Sequence, residues 1–396
     1  MVWRETGIMD ERLRFVVECL GGEETMTQLC AAFDISRKTG YKWLGRYHEF
    51  GPEGLHDQPR TPLNHGRATA AELVDRIVAE KEAHPLWGPK KIVARLKRSE
   101  PTCGWPAVST AGEILRRHGL VGRRRRRWRA VGNGPWPAPA EPNAVWTADH
   151  KGWFRTRDGW RCEPLTVMDA LSRYLLGLEA TGSTADEEAW PVFERLFEEN
   201  GLPDRIRSDN GPPFASAGVT GLTPLAVRFV KLGIALERIQ PGKPQQNGRH
   251  ERFHLTMLPM ALAPQADRAA QASAFKDFRR SYNEERPHEA LGMDTPAQHY
   301  RPSTRPMPKT VLEPYYPTEA AVRGVRQNGA VKWRGTEIYV SATLAGEPVA
   351  IEETESGAWA MRFYAHPLGL IDEKHMKLVR RSAAPTRLLG AAANAS

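Results

Sequence analysis

Cysteine is scarce in this chain of 396 residues, which holds four. Cys19, Cys30, Cys103 and Cys162 are scattered, with no CxxC pair. That spacing argues against a disulfide framework or a zinc site and leaves buried free thiols as the reading. Long apolar runs are missing too: none approaches the roughly 18 residues that would cross a bilayer. Met1-Val2-Trp3-Arg4-Glu5 lacks the apolar centre of a signal peptide, so a cytoplasmic protein is expected. Acidic residues are in deficit, 47 Asp+Glu against 56 Lys+Arg, a net charge of +9. The deficit is local. Residues 1–140 hold 24 basic against 16 acidic residues, and the remainder 32 against 31. A basic first third on a soluble chain points to a polyanionic partner.

What is present reads as several domains, since the length exceeds one compact core. Asp10 to Leu20 is periodically apolar and ends at Gly21-Gly22; Thr27 to Phe33 is a short helix; Ser36 caps a third helix running to about Tyr47. The third helix is expected to expose Arg37, Lys38, Thr39 and Lys42 and to turn Tyr41 and Leu44 inward. This is helix-turn-helix spacing, in which the last helix enters the DNA major groove. The domain is bounded at 1–50 and followed by a Gly/Pro-rich linker, 51–67. A second helix-turn-helix-like unit, 68–121, has helices at Ala70–Ala83, Pro89–Lys97 and Ser109–His118, with Ile92, Ala94, Leu96, Ile114 and Leu115 as core.

The linker 122–143 opens with Arg123, Arg124, Arg125, Arg126, Arg127 and Arg129 around one tryptophan and continues Pro-rich. Such a run repels itself and suits a phosphate backbone; a solvated linker is the bland alternative. From Ala144 to 302 the pattern is α/β. Strands Val145–Phe154, Arg161–Asp169 and Arg173–Ala180 form an antiparallel meander. A helix from Thr184 with Glu187 as capping box follows, then strand Arg205–Ser208, helix Pro224–Leu232, strand Ile234–Ile239, and helices Gln245–Met257 and Gln271–Glu285. That order is the order of an RNase H-like fold with a five-stranded mixed sheet. Residues 303–381 carry five short strands with Asn328-Gly329, Arg334-Gly335 and Ser356-Gly357 turns, expected as a small all-β SH3-like barrel. The Ala-rich tail, 382–396, is expected to be disordered.

Three acids stand out on this map: Asp149 in an apolar strand, Asp209 in Ser-Asp-Asn-Gly after the fourth strand, and Glu251 near the start of the helix after the fifth. The topology sets the first and fourth strands side by side, with the Glu251 helix across their end. Carboxylates converging on one point suit hard divalent cations that keep positions open for phosphates. Singly, each has a bland reading. Asp before Asn-Gly forms turns, Glu at a helix start meets the helix dipole, and only Asp149, in an apolar strand, needs a partner.

Trp146-Thr147-Ala148-Asp149, Ser208-Asp209-Asn210-Gly211 and Gln246-Asn247-Gly248-Arg249-His250-Glu251-Arg252-Phe253-His254 resemble the integrase catalytic core of bacterial insertion-sequence transposases of the IS481 and IS3 groups, related to retroviral integrases. Val167 to Tyr174 and Tyr282 to Leu291, with Thr295-Pro296-Ala297, resemble further parts of that core. The resemblance implies a DDE triad of Asp149, Asp209 and Glu251 holding two Mg²⁺ or Mn²⁺ ions. It implies hydrolysis at the element ends and joining of the freed 3′-hydroxyls to target DNA. The implied partners are terminal inverted repeats, target DNA and further copies of the chain, as a homodimer or higher oligomer. Lys243, Gln246, Arg249 and Arg252 sit where an active-site strand would pass; Asn247 steadies the acidic loop or touches DNA. His250 and His254 could ligate a metal, but magnesium prefers oxygen, so packing or a DNA phosphate contact is the preferred reading. The rivals are a non-catalytic DNA-binding regulator and a ribonuclease H, the latter with no use for two helix-turn-helix units and an arginine cluster.

Overall fold

The computed structural model describes residues 7–57, 68–122, 139–240 and 248–380, which fall into two compact units, residues 1–69 and 70–396. In the first unit α1 (Ile8–Gly21), α2 (Met26–Ala32) and α3 (Arg37–Phe50) pack around Phe15, Val16, Leu29, Cys30 and Trp43. Thr25 caps α2 by accepting from the Gln28 N–H, and Ser36 caps α3 by accepting from that of Thr39. Two expectations are corrected here. Tyr41 faces solvent, 54% exposed, because the inward positions of α3 are Gly40 and Trp43. Residues 51–57 are not linker: Gly51–Leu55 forms a 3₁₀ turn that buries Leu55 completely in the same core. Gly40 is required by close approach, since a Cβ there would lie 2.6 Å from Cys30 Sγ and 2.9 Å from Phe15 Cζ.

The second unit opens with α4 (Ala71–Ala83), α5 (Pro89–Ser99) and α6 (Val108–Arg117) around Ile77, Ile92, Val93, Leu96, Ile114 and Leu115. Trp87 and Trp105 complete that core, and Ala94 is only half-buried. The central sheet follows. β1 (Trp146–His150) pairs antiparallel with β3 (Arg161–Asp169), which pairs antiparallel with β4 (Leu175–Thr181). β2 (Phe154–Arg155) is a short strand on the start of β3. On its other side β1 runs parallel to β5 (Arg205–Ser208), and β5 parallel to β6 (Ala235–Arg238). The order β4-β3-β1-β5-β6, mixed in direction, is an RNase H-like core.

Its apolar face packs against α7 (Asp186–Asn200) and α8 (Pro224–Lys231) through Trp146, Phe193, Phe197 and Phe229. The Thr184 capping box does not form; α7 starts two residues later with Asp186, Glu187 and Glu188 in its first turn, where the helix dipole favours them. The other face is covered by α9 (Gly248–Leu262) and α10 (Arg268–Glu284) through Phe253, Met257, Phe275 and Tyr282. Asn283 closes the sheet edge, its amide donating to the Leu175 carbonyl (3.0 Å) and accepting from the Leu175 N–H (2.8 Å). Asp169, fully buried, ties the turn after β3 by accepting from the Ser172 N–H and hydroxyl and from the Asn143 N–H. The short α11 (Pro296–His299) ends this region.

The carboxy-terminal region is all-β, with seven strands: β7 (Ala321–Gly324), β8 (Ala330–Trp333), β9 (Thr336–Tyr339), β10 (Pro348–Glu353), β11 (Trp359–Phe363), β12 (His366–Asp372) and β13 (Lys377–Val379). The expected barrel is not closed. Among the described residues the pairing gives an open sheet, β13-β12-β11-β10-β7, and a separate β8-β9 ribbon. Val331, Trp333 and Ile338 of the ribbon and Leu222, Ala226, Val227 and Val230 in and before α8 bury the sheet's apolar face. α8 therefore lies between two cores.

Candidate active site

Asp149 lies near the end of β1, opposite Thr166 of β3. The parallel neighbour β5 ends at Ser208, which places Asp209 at the same sheet end, where open α/β sheets bind ligands. Asp209 Oδ1 accepts from the Gly211 N–H at 3.1 Å, so the Asn-Gly turn orients the carboxylate. Glu251 is exposed in the first turn of α9, the helix lying against β1. Asp209 and Glu251 both act on Asp149. The Asp149 carboxyl is pushed up to about 7, first by burial and then by the negative charge of Asp209. Glu251 adds to the shift, while the His150 N–H and Lys151 oppose it. A carboxylate in that position lacks enough positive charge around it.

Two histidines, read from sequence as packing or phosphate contacts, fix α9 to the sheet. His250 is completely buried, which removes it from any DNA contact. Its Nε2 lies 2.5 Å from Thr166 Oγ1 and its Nδ1 2.8 Å from Thr147 Oγ1, so one ring bridges β3 and β1. His254 Nε2 lies 3.1 Å from the same Thr166 oxygen, and its Nδ1 3.9 Å from Asp149 Oδ2. Burial drives both rings toward the neutral form: His250 falls well below its usual range, and His254 to about 3, helped by Lys151 and His150. Asp149, His250 and His254 form a cluster compact enough for a metal ion. The signal for it in sequence is the i, i+4 spacing of the two histidines around Glu251, which sets both on one helix face.

The expected DNA contacts divide. Arg37, Lys38 and Lys42 are exposed on α3, with the Lys42 ammonium 4.7 Å from the Trp43 ring centroid; Thr39 is half-buried and bonded to Ser36. Arg252 is exposed beside Glu251. Arg123, Arg124, Arg125, Arg126, Arg127, Arg129, Lys243, Gln246 and Asn247 lie outside the described residues, as does the tail 382–396, and so does the side chain of Arg249.

Sequence comparison matches the family described as "Integrase core domain" at residues 139–244 and again at 232–296. A "Helix-turn-helix domain" matches residues 11–62 and a "Homeodomain-like domain" residues 39–115. The chain is 28% identical over 189 residues, 47% of its length, to the "Insertion element IS407 uncharacterized 31.7 kDa protein" of Burkholderia multivorans. It is 28% identical over 229 residues, 57% of its length, to the "Insertion element IS476 uncharacterized 39.2 kDa protein" of Xanthomonas euvesicatoria. These alignments span 66% and 64% of the two relatives, just under two thirds. Among solved structures, the HTLV-2 integrase catalytic core domain in complex with magnesium aligns at 16% identity and a TM-score of 0.30, covering 41% of this chain and 99% of that one.

The chain is thus an integrase-core protein with amino-terminal helix-turn-helix domains. Its curated relatives at 28% identity are proteins of insertion elements. Among the described residues no helix is long and apolar enough to cross a membrane.

Proposed function

We propose that the chain binds the terminal inverted repeats of an insertion sequence, hydrolyses one DNA strand at each end and joins the freed 3′-hydroxyls to target DNA. What supports this best is the placing of three carboxylates, Asp149, Asp209 and Glu251, at one end of an RNase H-like sheet, where burial first and then the negative charges of Asp209 and Glu251 push the Asp149 carboxyl up to about 7. That uncompensated charge, with oxygen donors on a strand, a turn and a helix, fits Mg²⁺ or Mn²⁺. Bound there, two such ions would supply Lewis-acid stabilisation of a phosphodiester in transfer and lower the pKa of an attacking oxygen.

The chain's residues do the placing. Asp149, once ionised, would be one of the ligands. The Gly211 N–H holds Asp209 in orientation, and His250, bridging Thr147 and Thr166, fixes the helix that carries Glu251. Neither step requires a covalent enzyme intermediate: water attacks the phosphodiester directly in cleavage, leaving a 3′-hydroxyl and a 5′-phosphate, and in transfer that hydroxyl exchanges one phosphodiester for another. Arg37, Lys38 and Lys42 of α3, the Arg123 to Arg129 run and Arg252 are the candidate phosphate and base contacts. Two ends handled together call for a dimer or larger assembly on DNA. The domain limits are read as 1–57 for the first DNA-binding domain, 68–121 for the second, 144–302 for the core and 303–381 for the β-region.

The test is strand transfer from a labelled terminal-repeat oligonucleotide into plasmid. Asp149→Asn, Asp209→Asn and Glu251→Gln each abolish product while repeat binding persists. Wild-type activity in any one of them removes that residue from the triad.

A further inference from the structure

The protons around Thr166 fix the chemistry of His254. The Thr166 hydroxyl lies 2.8 Å from the Asp149 carbonyl oxygen, 2.5 Å from His250 Nε2 and 3.1 Å from His254 Nε2. A hydroxyl carries one proton, and a carbonyl can only accept. The Thr166 proton therefore goes to the Asp149 carbonyl, and its oxygen receives hydrogen bonds from both rings. Each neutral ring then carries its proton on Nε2 and a bare lone pair on Nδ1.

The two bare nitrogens differ in what meets them. His250 Nδ1 lies 2.8 Å from the Thr147 hydroxyl, nearer than that hydroxyl's other acceptor, the Met168 carbonyl at 3.3 Å, and is used up. Among the described residues no hydrogen-bond donor reaches His254 Nδ1; what lies near it is Asp149 Oδ2 at 3.9 Å. That gap is too long for a hydrogen bond, even with Asp149 protonated. A lone pair and an acidic oxygen so disposed make a pair of donors for one cation. Two donors each about 2.1 Å from an ion stand about 3.0 Å apart at a right angle and about 3.4 Å apart at the tetrahedral angle. A turn of the Asp149 carboxylate closes the difference. His254 is also locked in place: it is 8% exposed and its far nitrogen is bonded to a fully buried threonine.

We propose that His254 is a nitrogen ligand, through Nδ1, of the cation that Asp149 holds, making that position a mixed oxygen–nitrogen site which takes Mn²⁺ in preference to Mg²⁺. This rests on the triad reading above and adds to it a ligand outside the three carboxylates. The preference follows from ligand type: imidazole suits first-row transition ions, whereas Mg²⁺ strongly favours oxygen. Thr166 is the positioning residue, because its single hydroxyl sets the tautomer that leaves Nδ1 bare.

The experiment is Mn²⁺ binding to the full-length protein without DNA, followed by electron paramagnetic resonance, with pulsed detection of ¹⁴N coupled to the bound ion. The expected result is Mn²⁺ bound in an Asp149-dependent way, with imidazole modulation that His254→Asn removes, and an affinity loss of at least about tenfold in that variant. Competition by Mg²⁺ should be weaker in the wild type than in His254→Asn. Protein labelled with ¹⁵N-histidine needs no variant and changes the modulation pattern if imidazole is bound. Mn²⁺ bound through Asp149 without any imidazole coupling, or coupling that survives His254→Asn, overturns this inference and leaves the triad standing. Mn²⁺ binding that is indifferent to Asp149→Asn overturns both.

Discussion

Removing one charge from the carboxylate cluster should stabilise the metal-free protein while destroying its response to metal. In Asp149→Asn the side chain keeps its size and loses its ionisation. The wild-type carboxyl is raised from 3.8 to about 7 by burial and by the charges of Asp209 and Glu251. At about 1.4 kcal/mol per pKa unit, ionising it in the fold costs about 4 kcal/mol, and about 2–4 kcal/mol once solvent entry at this partly open site is allowed for. The sign follows from the raised value: the folded state holds its proton more tightly than the unfolded chain. That stabilisation is fully present below 3.8 and is lost as pH rises through about 7. Urea unfolding in EDTA at pH 8 should therefore find Asp149→Asn more stable than wild type by about 2–4 kcal/mol, with the difference shrinking steadily toward pH 4. Adding Mg²⁺ or Mn²⁺ at about a hundred times its dissociation constant should stabilise the wild type by about 2.7 kcal/mol and leave the variant unchanged. Equal stability of the two proteins at pH 8 in EDTA would refute the reasoning, because the carboxylate would then not be held in a dehydrated, negative place.

Gly40→Ala should destabilise the first helix-turn-helix unit by about 1–3 kcal/mol, read as a drop in its thermal midpoint, since its Cβ meets Cys30 Sγ and Phe15 at under 3 Å. Arg207 and Glu237 form a nearly buried ion pair at 3.1 Å between β5 and β6; Arg207→Met strands the glutamate and should cost about 3–5 kcal/mol in urea unfolding, whereas the double change to Met and Leu should recover most of it. Lys38→Ala, on the exposed side of α3, should lower the slope of log affinity against log salt for terminal-repeat DNA by about one if Lys38 meets a phosphate.

The parts legible in sequence were those with local causes. Ser36 before α3, Gly201 after α7 and the apolar residues of α8 announce themselves within one or two turns of chain. The positions of Asp149 and Asp209 were legible because a parallel crossover sets neighbouring strand ends together. What stayed hidden depends on distant partners. The inward side of α3 was misjudged because Trp43, ringed by Arg12 and Arg46, packs into the core where Tyr41 was expected. The open β-sheet was read as a barrel because strand number is visible in turn signals and closure is not. For His250 and His254 packing and phosphate contact stay open in the sequence, because nothing local reveals Thr147 and Thr166, about 85 to 105 residues earlier, as their partners.

The helix α8 presents Leu225 and Phe229 to the catalytic sheet and Ala226, Val227 and Val230 to the carboxy-terminal sheet. Only a narrow stripe of Pro224, Arg228 and Lys231 is left to meet solvent. The boundary near residue 302 is accordingly a division of the chain and not of its stability. Cutting there would lay bare an oily ridge on the catalytic core, and such ridges invite association. The β-region and the core stand or fall together.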